Sequence, residues 1–154
     1  MGKKIDWEGF KSEILGVRFE EGKEFVASRS KDYYWYSPIL DEIFKDKVGD
    51  LVVIPSDQEQ VKKVAAAIAK YKIPLTLRGG GTGNYGQCVP LEGGVIMIMT
   101  KLNRIIEFKE KSVLTESGVR ISRLDDAARD IGLELLMYPS TRLTATIGGF
   151  LAGG

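Results

Sequence analysis

A loop that gives up five side chains in ten residues, directly after an apolar strand, leaves few folds open to this chain. The loop is "RGGGTGNYGQ", residues 78–87. Before it, "LVVI" at 51–54 is apolar at every position, as a buried strand requires, and Pro55 closes it. Ser56 and Glu59 stand at capping-box spacing, and Val61, Val64, Ala65 and Ile68 then repeat on one helical face up to about Tyr71. "IPLTL" at 73–77 predicts a second strand, so residues 51–77 form a βαβ-like unit with a short crossover. Ligands of such sheets lie beyond the carboxyl ends of the strands, which is where this loop opens.

Three phosphate-binding geometries compete for the loop. Residues 81–86, "GTGNYG", match the dinucleotide pattern G-x-G-x-x-G, but that pattern needs a helix opening at the motif, and "QCVPLEGG" follows instead. A P-loop needs a lysine where Gln87 stands. The third geometry is a nest, in which successive main-chain N–H groups surround an anion without a helix behind them. Glycine suits it, because it reaches positive φ without strain and lets backbone approach a ligand with no Cβ between. Each N–H to a charged oxygen contributes ~1.5–3 kcal/mol, and Thr82 and Asn84 offer side-chain donors as well. The alternative is a plain connection between strands, at an entropic cost for every glycine.

Elsewhere, residues 6–15 predict a short helix with Trp7, Phe10, Ile14 and Leu15 on one face, and residues 20–50 lack periodicity around the aromatic cluster "YYWY". "GGVIMIM" predicts a third strand, and "RIIEF", "KEK" and "SVLTESG" a hairpin. Ile121, Leu124, Ala128 and Ile131 mark an amphipathic helix stopped by Gly132, and "LELLMYP" predicts another strand. The expected fold is α+β: a small sheet with helices on one side, then the first elements of a second subdomain, with the glycine loop between them.

A formal net charge of +1 points to no nucleic acid and no membrane surface as partner. No apolar run is long enough for a membrane span or a secretory signal, and a lone Cys88 gives no internal disulfide, so the cytoplasm is the expected compartment. The chain contains no histidine, which removes the commonest general base and zinc ligand, and no metal site is expected. Arg78 offers either a charge-assisted donor to a phosphate or a brace to a carboxylate. "YYWY" either stacks on a ligand ring or packs the amino-terminal segment onto the domain edge.

Taken in order, "VVIPSDQEQV", "LRGGGTGNYGQ", "LEGGVIMIMTKLNRI", "TESGVRISRLDDAARDIGLELLMYP" and "TATIGGFLAGG" resemble the FAD-binding (PCMH-type) domain of the vanillyl-alcohol oxidase family. Within the family the resemblance is to the glycolate oxidase flavoprotein subunit and the D-lactate dehydrogenases. It covers residues 51–154; the first fifty residues carry little of it.

The resemblance implies FAD as cofactor, with Arg78, Gly79, Gly80, Gly81, Thr82, Gly83 and Asn84 around its pyrophosphate. It places Ser140, Thr141, Ala145, Thr146, Gly148 and Gly149 along the ribityl chain and flavin ring, with Gly153 and Gly154 starting a further contact loop. Thr82 stands where many members attach FAD through a histidine, and Cys88 is not at the cysteinyl attachment position, so binding is expected to be noncovalent. The implied domains are an amino-terminal segment 1–50, a first FAD-binding subdomain 51–112 and the truncated start of a second at 113–154. The chain then reads as an amino-terminal fragment lacking the cap domain that binds substrate and supplies the catalytic base. The implied activity is oxidation of a small 2-hydroxy acid of the glycolate or D-lactate type, with an electron acceptor the sequence does not name. The alternatives are a noncatalytic FAD-binding or assembly module and a flavin domain of peptidoglycan-precursor reduction.

Overall fold

The computed structural model describes residues 5–33 and 35–153. In chain order these form α1 (Trp7–Glu13), β1 (Arg18–Glu20), α2 (Lys23–Arg29), α3 (Pro38–Phe44), β2 (Leu51–Ile54), α4 (Gln58–Tyr71) and β3 (Leu75–Arg78). Then come β4 (Val95–Ile98), β5 (Ile105–Phe108), β6 (Val113–Thr115), α5 (Ile121–Arg129) and α6 (Ile147–Gly153).

A four-stranded sheet has the order β1-β2-β4-β3. β4 lies parallel between β2 and β3, with Leu51 and Leu75 both level with Val95, and β1 closes the far edge antiparallel to β2. The strand–helix–strand unit expected over 51–77 is present, but its two strands are separated by β4. Every residue of β4 is buried. A strand apolar at every position needs cover on both faces, and that overturns the expectation of helices on one side. Leu51, Val53, Val95 and Met97 pack with Phe10, Ile14, Val64 and Ile68 of the α1/α4 layer. Val52, Ile96 and Ile98 pack with Val26 of α2 on the opposite face.

The capping residue of α4 is Asp57 rather than Ser56: its carboxylate accepts from Gln60 N at 2.8 Å, while the Gln60 side chain accepts from Ser56 N at 2.9 Å. Ala67, not Ala65, completes the buried stripe. In the first helix Phe10 and Ile14 are buried, but Leu15 is exposed, because the helix ends at Glu13. Three elements, β1, α2 and α3, occupy the aperiodic stretch 18–44; each is too short to impose a period. The β5–β6 hairpin forms as expected. α5 buries Ile121, Leu124 and Ala128 but stops before Ile131, which is exposed, and Gly132 takes a positive φ of 76°. The strand predicted from "LELLMYP" is absent: Leu136 and Met137 are exposed, and no described strand offers them a ladder. An apolar run becomes a strand only when a neighbour supplies the other half of its hydrogen bonds.

Candidate functional site: a cleft beside the glycine loop

β3 delivers the chain to the loop at Arg78, whose carbonyl accepts from Met99 N at 2.9 Å and so ties the loop's start to the end of β4. Across from it, residues 142–148 run along the approach to α5: Ser122 N donates to the Arg142 carbonyl, Ile121 N to that of Ala145, Ile147 N to that of Val119 and Gly148 N to that of Ser117, at 2.8–3.0 Å. Loop and segment meet closely. A Cβ on Gly79 would run into the Thr146 hydroxyl, one on Gly80 into the Thr144 carbonyl, and one on Gly148 would come within 2.6 Å of Ser117 Cβ. These glycines therefore allow close approaches within the protein, Gly80 to main chain and Gly79 and Gly148 to side chains.

The two walls enclose an open cleft of about 740 Å³, within the size range of cofactor pockets. It gathers Gly79, Gly80, Gly81, Thr82 and Gly83 from the loop with Thr141, Ala145, Thr146, Gly148, Gly149 and Gly153 from the far wall. Asn84 and Ser140 are exposed and do not line it. Gly154 lies outside the described residues. Leu75, Leu77, Gln87, Met99, Ser117 and Phe150 also line the cleft and were not singled out by pattern; they are ordinary strand, turn and helix residues that only the fold turns inward.

Among the described residues nothing accepts a hydrogen bond from the main-chain N–H groups of Gly79, Gly80, Gly81, Thr82, Gly83 or Asn84. A run of amides without protein acceptors, with Gly81 at φ 65°, is not a self-satisfied turn and leaves its N–H groups available to a ligand. No lysine or arginine lines the cleft, so the donors it offers are amides and hydroxyls.

Arg78 does not line the cleft. Its buried guanidinium lies beneath Gly81 and donates through Nη1 to the carbonyls of Arg29 and Lys31, at 3.0 and 2.6 Å, and to Cys88 Sγ at 3.0 Å. It is a brace, to carbonyls and a thiol rather than to the carboxylate considered from sequence, because β3 aims it below the loop. Cys88 is buried and donates its thiol to Asp32 Oδ1 at 2.5 Å. Burial and the neighbouring carboxylate push that thiol up to about 12, so it stays protonated at neutral pH. In the aromatic cluster, Tyr36 packs edge-on against Phe44 and accepts from Asp32 N, while Tyr33 and Trp35 are exposed. Tyr34 lies outside the described residues. Among the described residues no group of His, Cys, Asp and Glu could hold a metal ion, and no helix is long and apolar enough to cross a membrane.

A family profile described as an FAD binding domain matches residues 49–154. The chain belongs to the FAD binding domain family. FAD is its cofactor, and the amide-lined, cation-free cleft fits a group carrying a diphosphate. The domain is 31% identical over 136 residues to a D-lactate dehydrogenase of Archaeoglobus fulgidus, a match covering 88% of this chain and 27% of that protein. It is 32% identical over 104 residues to the glycolate oxidase subunit GlcD of Escherichia coli K12, covering 66% of this chain and 21% of that one. The chain thus spans about a quarter of the length of the curated relatives it matches. The fold is shared with an alkyldihydroxyacetonephosphate synthase at a TM-score of 0.78 and 20% identity, over 98% of this chain and 32% of that one. The PCMH-type flavoprotein architecture expected from the motifs is the one observed.

Proposed function

We propose that the domain binds FAD noncovalently in this cleft. The glycine loop takes the diphosphate, and the wall formed by Thr141, Ala145, Thr146, Gly148 and Gly149 takes the ribityl chain and flavin ring. The observation that carries the reading is the run of unpartnered amides from Gly79 to Gly83 in a cleft without a cationic side chain. Donors aimed where charge is to sit, in a partly dry site, hold an anion without a lysine. Noncovalent binding is supported by Thr82 in the loop and by Cys88, whose protonated thiol already donates to Asp32.

In this reading residues 51–112 belong to one FAD-binding subdomain and 113–154 to a second, and the segment 1–50 adds β1 to the first subdomain's sheet. The activity served is two-electron oxidation of a small 2-hydroxy acid. FAD, when bound, supplies the acceptor for the hydride equivalent leaving the substrate's C2, with loss of the hydroxyl proton and formation of a 2-oxo acid. This chain's own residues bind and orient; the cleft's titratable side chains are Asp32 and Cys88, both engaged with each other. That observation favours a second reading for the chain by itself, an FAD-binding module without turnover.

One experiment addresses both readings. Chain saturated with FAD and desalted should be yellow, and brief heating or acid should release all flavin into the supernatant. Mixing with D-lactate or glycolate should leave the 450 nm band unchanged if the chain is a module and bleach it if the chain is a complete catalyst. A colourless desalted protein whose fluorescence ignores added FAD removes the cofactor assignment to this cleft.

A further inference from the structure

The family match begins at residue 49, yet the glycine loop is anchored by residues that precede it. The Arg29 and Lys31 carbonyls hold the Arg78 guanidinium. Tyr33 N donates to the Gly81 carbonyl at 2.6 Å. Between them the Asp32 carboxylate, only 8% exposed, accepts from Gly86 N at 2.7 Å, Cys88 N at 3.2 Å and the Cys88 thiol at 2.5 Å. Asp32's own N–H is held by the Tyr36 hydroxyl at 2.9 Å. The effect is a division of the loop's amides. Gly86 N and Cys88 N are held by one buried carboxylate and Tyr85 N by the Gln87 side chain, whereas those from Gly79 to Gly83, at the wall of the cleft, have no acceptor among the described residues.

We propose that Asp32 is a positioning residue for the cofactor's diphosphate. Residues 29–33 act as a clasp that sets the glycine loop in its anion-holding shape before any ligand arrives. The proposal rests on the FAD reading above. The physical logic is preorganisation: a loop so rich in glycine, ordered only on binding, would charge that ordering against affinity, whereas charge-assisted bonds to a buried carboxylate order it beforehand. A carboxylate suits because it only accepts, and three donors converge on it.

The test uses the full chain and Asp32→Asn, which keeps one acceptor oxygen but puts an NH2 donor in place of the other, so that either Gly86 N or the pair of Cys88 N and the thiol loses its acceptor. Hydrogen exchange at Tyr33, Gly86 and Cys88 should quicken by about tenfold or more, with exchange in α4 unchanged, and the Kd for ADP and for FAD should both rise by about tenfold or more. Unchanged exchange at those amides, or faster exchange with unaltered ADP and FAD affinity, overturns the proposal alone. A wild-type chain that binds neither ADP nor FAD overturns the cofactor reading and this proposal with it. Should Asp32→Asn fail to fold, Cys88→Ala against Cys88→Ser reads the same clasp. Serine keeps a donor to Asp32 and alanine does not, so the alanine variant should bind FAD about threefold or more weakly than the serine variant; equal affinity for the two overturns the proposal.

Discussion

At Gly80 a methyl group would meet the Thr144 carbonyl, and at Gly81 it would meet the Arg78 guanidinium on a backbone already at φ 65°. The two sites differ in what can yield. A side chain beneath Gly81 can shift, whereas the Thr144 carbonyl belongs to the main chain of the opposite wall. Gly80→Ala should therefore push the walls apart, lowering stability by about 1–3 kcal/mol as read by urea unfolding. The FAD Kd should rise in parallel. An alanine variant as stable and as tight-binding as wild type would mean that the loop and the 144–146 segment do not touch in solution. The glycine-rich loop was legible in the sequence, but what its glycines touch was not: Thr144 and Thr146 are remote in sequence from the residues they crowd.

α4 shows how far local pattern carries an element. Its existence and extent follow from apolar spacing, but its cap lies one residue from where Ser56 and Glu59 suggested, because Asp57 and Gln60 compete for the same geometry and Asp57 takes the extended backbone a cap needs, φ −150°. Its other end is Lys72, at φ 55°, with Ile73 N reaching back to the Ile68 carbonyl at 3.1 Å. Among the described residues Lys72 is the one non-glycine residue with positive φ. Lys72→Gly should therefore stabilise the domain by about 0.5–1 kcal/mol, seen as a higher urea midpoint with unchanged FAD binding; a lower midpoint would show that the left-handed cap is not populated. The missing strand at 133–139 teaches the converse. Its apolar run allows a strand, but pairing has to be supplied by neighbours.

At the level of the whole molecule the cleft depends on holding the 117–148 region against the sheet. Asp125 holds that region together internally, since its buried carboxylate binds Arg129 at 3.0 Å, accepts from Leu135 N at 3.3 Å and lies 3.9 Å from Arg142. The Arg129 hydrogen bond holds the carboxyl below its ordinary value of 3.8. A folded-state pKa below the unfolded one gives stability that is complete above the unfolded value and is lost as pH falls through the folded one. Asp125→Asn should accordingly lower the thermal midpoint at neutral pH, and the gap to wild type should close in acid below the ordinary carboxylate range. A gap that persists undiminished in acid would assign the effect to packing rather than to charge.

The amino-acid sequence by itself determined the strand–helix–strand unit, the glycine loop and membership of the FAD binding domain family. All three are local: they reside in periodicity, turn chemistry and ordered motifs that any short window displays. Tertiary structure alone decided that β4 separates β2 from β3, that helices cover both sheet faces, that Arg78 braces the loop from below, and that Asp32 meets Cys88. Each of these joins residues distant along the chain, and a contact of that kind is decided by which surfaces the folded core leaves room to bury.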